Sequence, residues 1–132
     1  MPIILYSLVI AAVIPFLLAW LGGFYRVKQF GRFDNRHPRQ QQALLEGTGA
    51  RVNAAQMNAW EALSIYTVTV FIAFASGLDL MSLDKLAVAF ITFRLLHAMF
   101  YILDHAWLRS IAFVLAFLCC ANIVYLAANV TA

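Results

Sequence analysis

Long apolar stretches alternate with shorter polar ones along the whole chain. No Asp, Glu, Lys or Arg occurs within residues 1–25, 62–78 or 110–132, and residues 86–103 contain a single one, Arg94. A helix needs about 20 mostly apolar residues to cross a bilayer. The pattern therefore predicts an all-α, four-helix membrane bundle that forms one domain over residues 1–132. We expect the spans at about residues 3–23, 57–78, 84–104 and 109–129, with a long connection at about 24–56.

The composition agrees with a membrane protein and excludes several other classes. Hydrophobic residues make up 64% of the chain, against nine Lys or Arg and six Asp or Glu. A soluble domain has about 45–50% apolar and 25% charged residues. A soluble single-core domain, a disordered chain and a disulfide scaffold are therefore excluded. The net charge of +3 does not predict a nucleic-acid partner, because no solvated domain remains to carry a basic surface.

Basic residues are concentrated in two of the three connections between spans. The first connection holds six Lys or Arg, the third holds Arg109, and the second holds only Lys85. Cytoplasmic loops of membrane proteins retain the excess of Lys and Arg. We therefore expect the first and third connections to be cytoplasmic and both termini to lie outside.

The first connection contains the only loop-like chemistry of the chain. Gly31, Pro38 and the pair of glycines at 47 and 49 indicate a loop from residue 24 to residue 49, while residues 40–46 have good helix propensity and predict a short interfacial helix. Its arginines have a simple alternative role. Basic residues beside an anionic leaflet gain about 1 kcal/mol each from the lipid, so the alternative role of Arg32, Arg36 and Arg39 is to anchor the connection to the membrane.

Polar residues inside spans are costly, by about 2.5–3.5 kcal/mol for a charge near the centre, and are therefore candidates for function. On the second span, Arg51, Ala54, Asn58 and Glu61 recur at three- and four-residue steps and share one helix face, with Gln56 on its flank. An amide beside a carboxylate suits an ammonium or amide group of a polar ligand.

The third span carries a second polar stripe, formed by Arg94, His97, Tyr101 and Asp104. Arg94 is expected about 16 Å below the cytoplasmic end of its helix, which is too deep for easy snorkelling. It must therefore face protein, and Glu61 is its expected partner. The alternative is a purely structural ion pair, with His97 and Tyr101 as packing residues.

Arg109 and Ser110 are expected at the N-terminus of the fourth helix. Unpaired backbone N–H groups and the helix dipole favour an anion there, and a guanidinium would add to the stabilisation of a thiolate or carboxylate. Arg109 could instead simply mark the membrane interface. Cys119 and Cys120 are expected to be structural, and His37 and His105 lack ligand spacing, so no metal site is predicted.

Three of these segments resemble one known family. Residues 51–61 (RVNAAQMNAWE) look like the second-helix signature of the membrane-associated proteins in eicosanoid and glutathione metabolism, the MAPEG family. Residues 94–101 (RLLHAMFY), followed by Arg109 and Ser110, are similar to the third-helix and fourth-helix motif of the family. Residues 33–39 (FDNRHPR) look like its bacterial branch, which implies a bacterial inner membrane.

The resemblance implies a homotrimer that holds glutathione between subunits near the cytoplasmic face, while a lipophilic small-molecule substrate enters from the membrane lipids. Arg109 would stabilise the thiolate, with Ser110 as a helper. Arg26 or Lys28 would reach a glutathione carboxylate. The expected cofactor-binding residues are Arg26, Arg51, Gln56, Asn58, Glu61, Arg94, His97 and Tyr101.

One position departs from the family pattern. Members that act on eicosanoids carry a ligand-binding arginine four residues before the helix-two asparagine, and here that position is Ala54. Arg51, one turn earlier, is a possible substitute. The first hypothesis is a glutathione-dependent transferase or peroxidase, and the second is a non-catalytic protein that binds lipid or a partner in the same cleft. A small efflux protein is a weaker third, because the first span has no acidic residue.

Overall fold

The computed structural model describes residues 1–130, which form helices and connecting turns without a strand. The helices are α1 (Ile3–Phe30), α2 (Pro38–Ala43), α3 (Gly47–Ala75), α4 (Asp84–Ile102) and α5 (Ala106–Ala128), with a 3₁₀ turn at Leu80–Leu83 before α4. The all-helical fold predicted from the sequence is confirmed.

Four of these helices are long and apolar enough to cross a membrane: α1, α3, α5, and α4 together with its preceding 3₁₀ turn. Their outer faces carry large exposed apolar side chains such as Trp20, Phe71 and Phe117. A soluble monomer rarely exposes continuous apolar surface of this extent. The chain is an integral membrane protein, as the hydrophobic pattern predicts.

The helices extend further into the first connection than the sequence pattern indicated. The prediction of a loop from residue 24 to residue 49 is wrong at both ends, because α1 continues to Phe30 and α3 begins at Gly47. Lys28 and Gln29 are good helix formers, and α1 ends where Gly31 takes a left-handed conformation with φ 70°. The short interfacial helix expected at residues 40–46 is found as α2, slightly earlier, because Pro38 is favoured in the first helical turn.

The main core lies at the end of the bundle away from α2. There α1 contributes Ile4 and Ser7, α3 contributes Tyr66, and α4 contributes Phe90. The Tyr66 and Phe90 rings stack with centroids 3.8 Å apart, and the Tyr66 hydroxyl lies 2.6 Å from Ser7 Oγ. The apolar rings and the satisfied hydroxyls together fix the packing of α1, α3 and α4 in this half.

A smaller core lies nearer α2, where α1 meets α3. Ile14 and Leu18 of α1 pack against Ala55 and Ala59 of α3. Small residues let membrane helices approach closely without a large apolar side chain between them. This close contact leaves the polar residues of α3 directed towards α4 and towards α2.

The first connection is held by a buried arginine. The side chain of Arg26 is 3% exposed; its Nε donates to Gln41 Oε1 at 2.7 Å and one terminal nitrogen donates to the Asp34 carbonyl at 2.8 Å. Its guanidinium also lies 3.9 Å from the centre of the Phe33 ring. The backbone N–H of His37 donates to the Asp34 carboxylate, which lowers the pKa of that carboxyl. Arg26 therefore ties the connection to the end of α1.

We predict that Gly49→Ala lowers the free energy of unfolding by about 1–3 kcal/mol. A Cβ atom at Gly49 would lie 2.9 Å from Leu45 Cδ2 and 3.1 Å from the Cβ of Tyr25. The leucine can rotate away, but the Tyr25 Cβ is fixed to the backbone of α1, so α1 and α3 would have to separate. Thermal unfolding of detergent-purified protein measures the effect.

Gly22→Ala is the matched control for this change. A Cβ there would lie 3.8 Å from its nearest neighbour, Val52 Cγ1, which is ordinary van der Waals contact. Since alanine favours a helix over glycine by about 0.5–1 kcal/mol, stability should stay the same or rise slightly. An equal loss in both variants would contradict the close approach at Gly49.

Candidate functional site

A chain of polar contacts joins α4 to α3 in the middle of the bundle. Arg94, whose side chain is 4% exposed, donates from one terminal nitrogen to Asn58 Oδ1 at 2.8 Å and to the Asn58 carbonyl at 3.3 Å. The amide nitrogen of Asn58 donates in turn to Glu61 Oε2 at 3.2 Å. The buried positive charge is thus linked to the exposed carboxylate through a neutral amide.

The prediction that Arg94 pairs directly with Glu61 is therefore wrong, because Asn58 lies between them. Within residues 1–130, Arg51 lies 3.9 Å from Asp104 Oδ2 and His37 Nδ1 lies 3.5 Å from Asp34 Oδ2, and neither contact involves Arg94 or Glu61. Asn58 lies one turn before Glu61 on α3 and occupies the position opposite Arg94. Its amide offers both a donor and an acceptor, so it can contact the cation and the carboxylate at the same time.

An apolar cleft of about 90 Å³ begins at this polar chain and follows the groove between α3 and α5, with α4 as its floor. Arg94 and Glu61 form its polar end. Its apolar walls are made by Ala62, Ile65, Phe90, Phe113, Ala116, Phe117 and Cys120. Phe113 and Phe117 are exposed on the outer surface of the bundle, so the cleft opens to that surface.

A second cluster lies nearer the end of the bundle that carries α2. The guanidinium carbon of Arg109 lies 4.4 Å from the centre of the Tyr101 ring, and the rings of His97 and Tyr101 are 5.6 Å apart. His97 is 3% exposed, and its Nδ1 has no hydrogen-bond partner among the described residues. Because buried polar atoms are nearly always hydrogen-bonded, this atom is a candidate contact for a polar group of a ligand.

Arg109 and Ser110 lie one turn further into α5 than the sequence indicated. α5 begins at Ala106, so the backbone N–H of Arg109 already donates to the His105 carbonyl at 3.0 Å. The Ser110 hydroxyl donates to the Ala106 carbonyl at 3.1 Å. The unpaired N–H groups at the start of α5 therefore belong to residues 106–108. Arg109 could interact with an anion only through its side chain.

Arg51 is held by contacts with the end of α4 and with the start of its own helix, α3. Its Nε donates to the Ile102 carbonyl at 3.1 Å, a terminal nitrogen donates to Thr48 Oγ1 at 3.0 Å, and another lies 3.9 Å from Asp104 Oδ2. A cation at the C-terminus of a helix is favoured by the helix dipole. The guanidinium of Arg51 thus joins the start of α3 to the end of α4.

The structure divides the predicted site residues among separate places. Asn58, Glu61 and Arg94 are in contact, and His97, Tyr101 and Arg109 form the neighbouring cluster. Gln56 instead lines a groove of about 310 Å³ between α2 and α3. Arg26 is buried near the end of α1, against the first connection, and Lys28 is exposed at the end of the same helix.

Sequence reasoning missed the apolar walls of the cleft. Phe113, Phe117 and Cys120 are spaced four and three residues apart on α5, a helical stripe that could have been noticed but is common on any membrane-facing helix. Cys120, expected to be structural, also lines this cleft. Among residues 1–130, no three His, Cys, Asp or Glu side chains are grouped so that they could hold a metal ion.

Comparison with protein-family models matches residues 3–129, almost the whole chain, to the model described as MAPEG family. No curated protein and no solved structure matches the chain.

Proposed function

The chain belongs to the MAPEG family, and on that basis we propose that it is a glutathione-dependent transferase or peroxidase that acts on lipophilic electrophiles. The family includes glutathione transferases and peroxidases and generally uses glutathione. The proposal for this chain rests on its own side chains.

The observation that carries the proposal is the continuity of the two polar clusters with the apolar cleft. Arg94, His97 and Tyr101 follow one another at helical spacing on α4, and Arg109 lies against the Tyr101 ring. Phe113, which lines the cleft, follows Arg109 by one turn on α5, and its ring centre is 6.2 Å from that of His97. A ligand thiol held at Arg109 would therefore lie next to the cleft, where an apolar substrate would enter. The arrangement thus supplies both a polar and an apolar subsite.

When bound, glutathione supplies the thiol that attacks the electrophile. Arg109 would favour the thiolate over the thiol, because a guanidinium stabilises a nearby anion. With an electrophilic carbon, a carbon–sulfur bond would form while the leaving group departs with the electron pair of the bond that breaks. With a hydroperoxide, the O–O bond would break, the alkoxide would take a proton and leave as the alcohol, and the sulfur would become a sulfenic acid, which a second glutathione would convert to the disulfide with release of water. The protein contributes positioning and stabilisation of charge.

The size of the cleft supports a site shared between copies of the chain. Ligand pockets typically measure about 300–1,000 Å³, and the cleft has only about 90 Å³. The cleft alone is too small to enclose glutathione, which is a tripeptide, so a further surface must complete the site. In the proposed homotrimer a neighbouring copy would provide it, and Gln56, which lies on a different face from Asn58, would act in the neighbour's site.

We further propose that the end of the bundle with α2 faces the cytoplasm of a bacterial inner membrane. Six basic residues of the first connection lie at this end, together with Arg109 of α5. The positive-inside rule assigns such an end to the cytoplasm. The site would then open to the compartment that contains the thiol.

Calorimetric titration of glutathione into detergent-purified protein tests the cofactor. The wild-type chain should bind glutathione at millimolar concentration or below, and Glu61→Gln should weaken binding by about tenfold, since a hydrogen bond to a charged group contributes about 1.5–3 kcal/mol. Glu46→Gln is the matched control, because Glu46 is exposed at the start of α3. Absence of binding at millimolar glutathione would overturn the proposal.

A second candidate is a non-catalytic protein that holds a lipid or a partner in the same cleft. Arg51, which could have replaced the family arginine missing at Ala54, is already bound to Thr48 and the end of α4. Lipid retained in the purified protein, together with no dependence of any measured activity on thiol, would favour this function. Under this function, Arg94→Ala would lower the free energy of unfolding, and neither the variant nor the wild type would show a thiol reaction.

A further inference from the structure

The end of α4 is capped by a side chain from α3. The last four carbonyl groups of a helix have no N–H partner within that helix. Here the backbone N–H groups of Leu103, Asp104 and His105 donate to three of them. The fourth carbonyl, that of Ile102, accepts from Nε of Arg51 at 3.1 Å. α4 therefore depends on Arg51 to satisfy the last carbonyl before the turn to α5.

Arg51 also contacts the turn through a second nitrogen. One terminal nitrogen lies 3.9 Å from Oδ2 of Asp104, and the other donates to Thr48 Oγ1 at 3.0 Å, which fixes the guanidinium to α3. Asp104 has a left-handed backbone conformation, with φ 64°, which Asp adopts more readily than most residues. Its carboxylate is largely exposed, so the hydrogen bond to the Ile102 carbonyl is the stronger of the two contacts with the turn. Arg51 thus holds both the last carbonyl of α4 and the residue at which the chain reverses.

The same turn determines where Arg109 lies. Only residues 103–105 separate α4 from α5, and Tyr101 and Arg109 lie on either side of this turn. The guanidinium carbon of Arg109 is 4.4 Å from the centre of the Tyr101 ring. The backbone N–H of Arg109 donates to the carbonyl of His105, the last residue of the turn. A change in the direction of the chain at the turn would therefore move the Arg109 side chain relative to Tyr101.

We propose that Arg51 is a positioning residue, which holds the turn between α4 and α5 so that the Arg109 guanidinium is placed for the thiolate. This inference rests on the proposed function, in which Arg109 stabilises that anion. It also replaces the expectation that Arg51 binds the cofactor. Each of the three guanidinium nitrogens of Arg51 faces a protein oxygen, so a ligand carboxylate could bind Arg51 only if the turn were released.

Hydrogen–deuterium exchange of the full chain in detergent tests the turn without reference to the thiol. Arg51→Met should speed exchange of the backbone N–H groups of residues 103–105 and 109 by about tenfold, which corresponds to the loss of a hydrogen bond to a charged group. Arg51→Lys, which keeps a charged donor, should retain part of the protection. Arg36→Met is the matched control, because it removes the same charge from an exposed side chain of the first connection. Equal exchange in Arg51→Met and the wild type would overturn the proposal.

Steady-state kinetics with glutathione and an aryl halide test the effect on Arg109. Arg51→Met should lower kcat by about tenfold at pH 7 and leave KM for glutathione within about twofold, because a misplaced guanidinium impairs the reaction and not the binding. The loss should shrink towards pH 9, where solvent ionises the thiol. In a chain that already carries Arg109→Ala, Arg51→Met should have little further effect, since the two residues act through one interaction. A purely structural role of Arg51 would give neither the pH dependence nor the non-additivity.

The outcomes separate this inference from the proposed function. A KM for glutathione that rises by about tenfold in Arg51→Met, with kcat unchanged, would make Arg51 a ligand of the cofactor. Unchanged exchange at the turn beside a working thiol reaction would overturn this inference alone. Absence of a thiol reaction in the wild type would overturn the proposed function and the thiolate role of Arg109 with it. If Arg51→Met does not fold in detergent, Arg51→Lys should show smaller effects of the same sign in both measurements, and no effect in either would overturn the inference.

Discussion

Arg109→Ala is expected to reduce kcat/KM for glutathione conjugation of an aryl halide by about 10- to 100-fold at pH 7, at or below the lower end of the range of about 100- to 1,000-fold that loss of one anion-stabilising group costs. A free thiol has a pKa of about 8.5, so without the guanidinium most of the bound thiol stays protonated at neutral pH. The loss should shrink as the pH is raised towards 9, because solvent then ionises the thiol. Initial rates over this pH range, in detergent, measure both effects.

Two variants separate the charge of Arg109 from its other contacts. Arg109→Lys keeps the charge and should retain much of the rate, although a lysine lacks the planar stacking on Tyr101. Tyr101→Phe keeps the stacked ring and removes only the hydroxyl. Lys85→Ala, at the opposite end of the bundle, should leave the rate unchanged. A pH-independent loss in Arg109→Ala would show that Arg109 does not act on the thiol.

The four-helix membrane fold could be predicted from the sequence because the relevant signal is local and strong. Stretches without charge are as long as a bilayer requires, and a charge inside one would be costly. The helix ends were harder to predict. Residues 24–30 contain polar side chains and adjoin two glycines, yet they continue α1, because Arg26 is satisfied by Gln41 and by the Asp34 carbonyl. Those partners belong to a later part of the chain.

The candidate site could be predicted in its residue types but not in its contacts. Helical spacing correctly brought Asn58 and Glu61 to one face of α3, and His97 and Tyr101 to one face of α4. Spacing within one helix does not determine the rotation of that helix against another. For this reason Asn58 contacts Arg94 where Glu61 was expected, and Gln56 faces α2.

The same limit applies to Arg51 and to the cleft. In the sequence, Arg51 precedes Ala54 by one turn on the same helix face as Asn58 and Glu61. Its contact with the Ile102 carbonyl could not be predicted, because that contact depends on where α4 ends. That end is determined by the left-handed conformation of Asp104, with φ 64°. The aromatic walls at Phe113 and Phe117 likewise become recognisable only once α3 and α5 are seen beside each other.

Asn58→Leu is expected to lower the free energy of unfolding by about 2–4 kcal/mol, because it removes the amide that satisfies a buried charge. Arg94 would retain only the long contact to the backbone carbonyl of residue 58. Thermal and denaturant unfolding in detergent measure the loss. Asn53→Leu makes the same replacement on α3, and because the Asn53 side chain has no hydrogen bond within the described residues, it should have little effect.

The companion variant Arg94→Met is expected to change stability by less than about 1 kcal/mol, since an apolar side chain of similar length often replaces a buried charge without loss. In the double variant, Arg94→Met should recover most of what Asn58→Leu removes, and the two effects would be strongly non-additive. Additive losses would show that Arg94 and Asn58 do not act as a unit. A loss below about 1 kcal/mol in Asn58→Leu alone would mean that Glu61 can reach Arg94 directly, which the exposed position of its carboxylate would permit. Conservation of stability in Arg94→Met together with loss of glutathione binding would separate a ligand-binding role of Arg94 from a structural one.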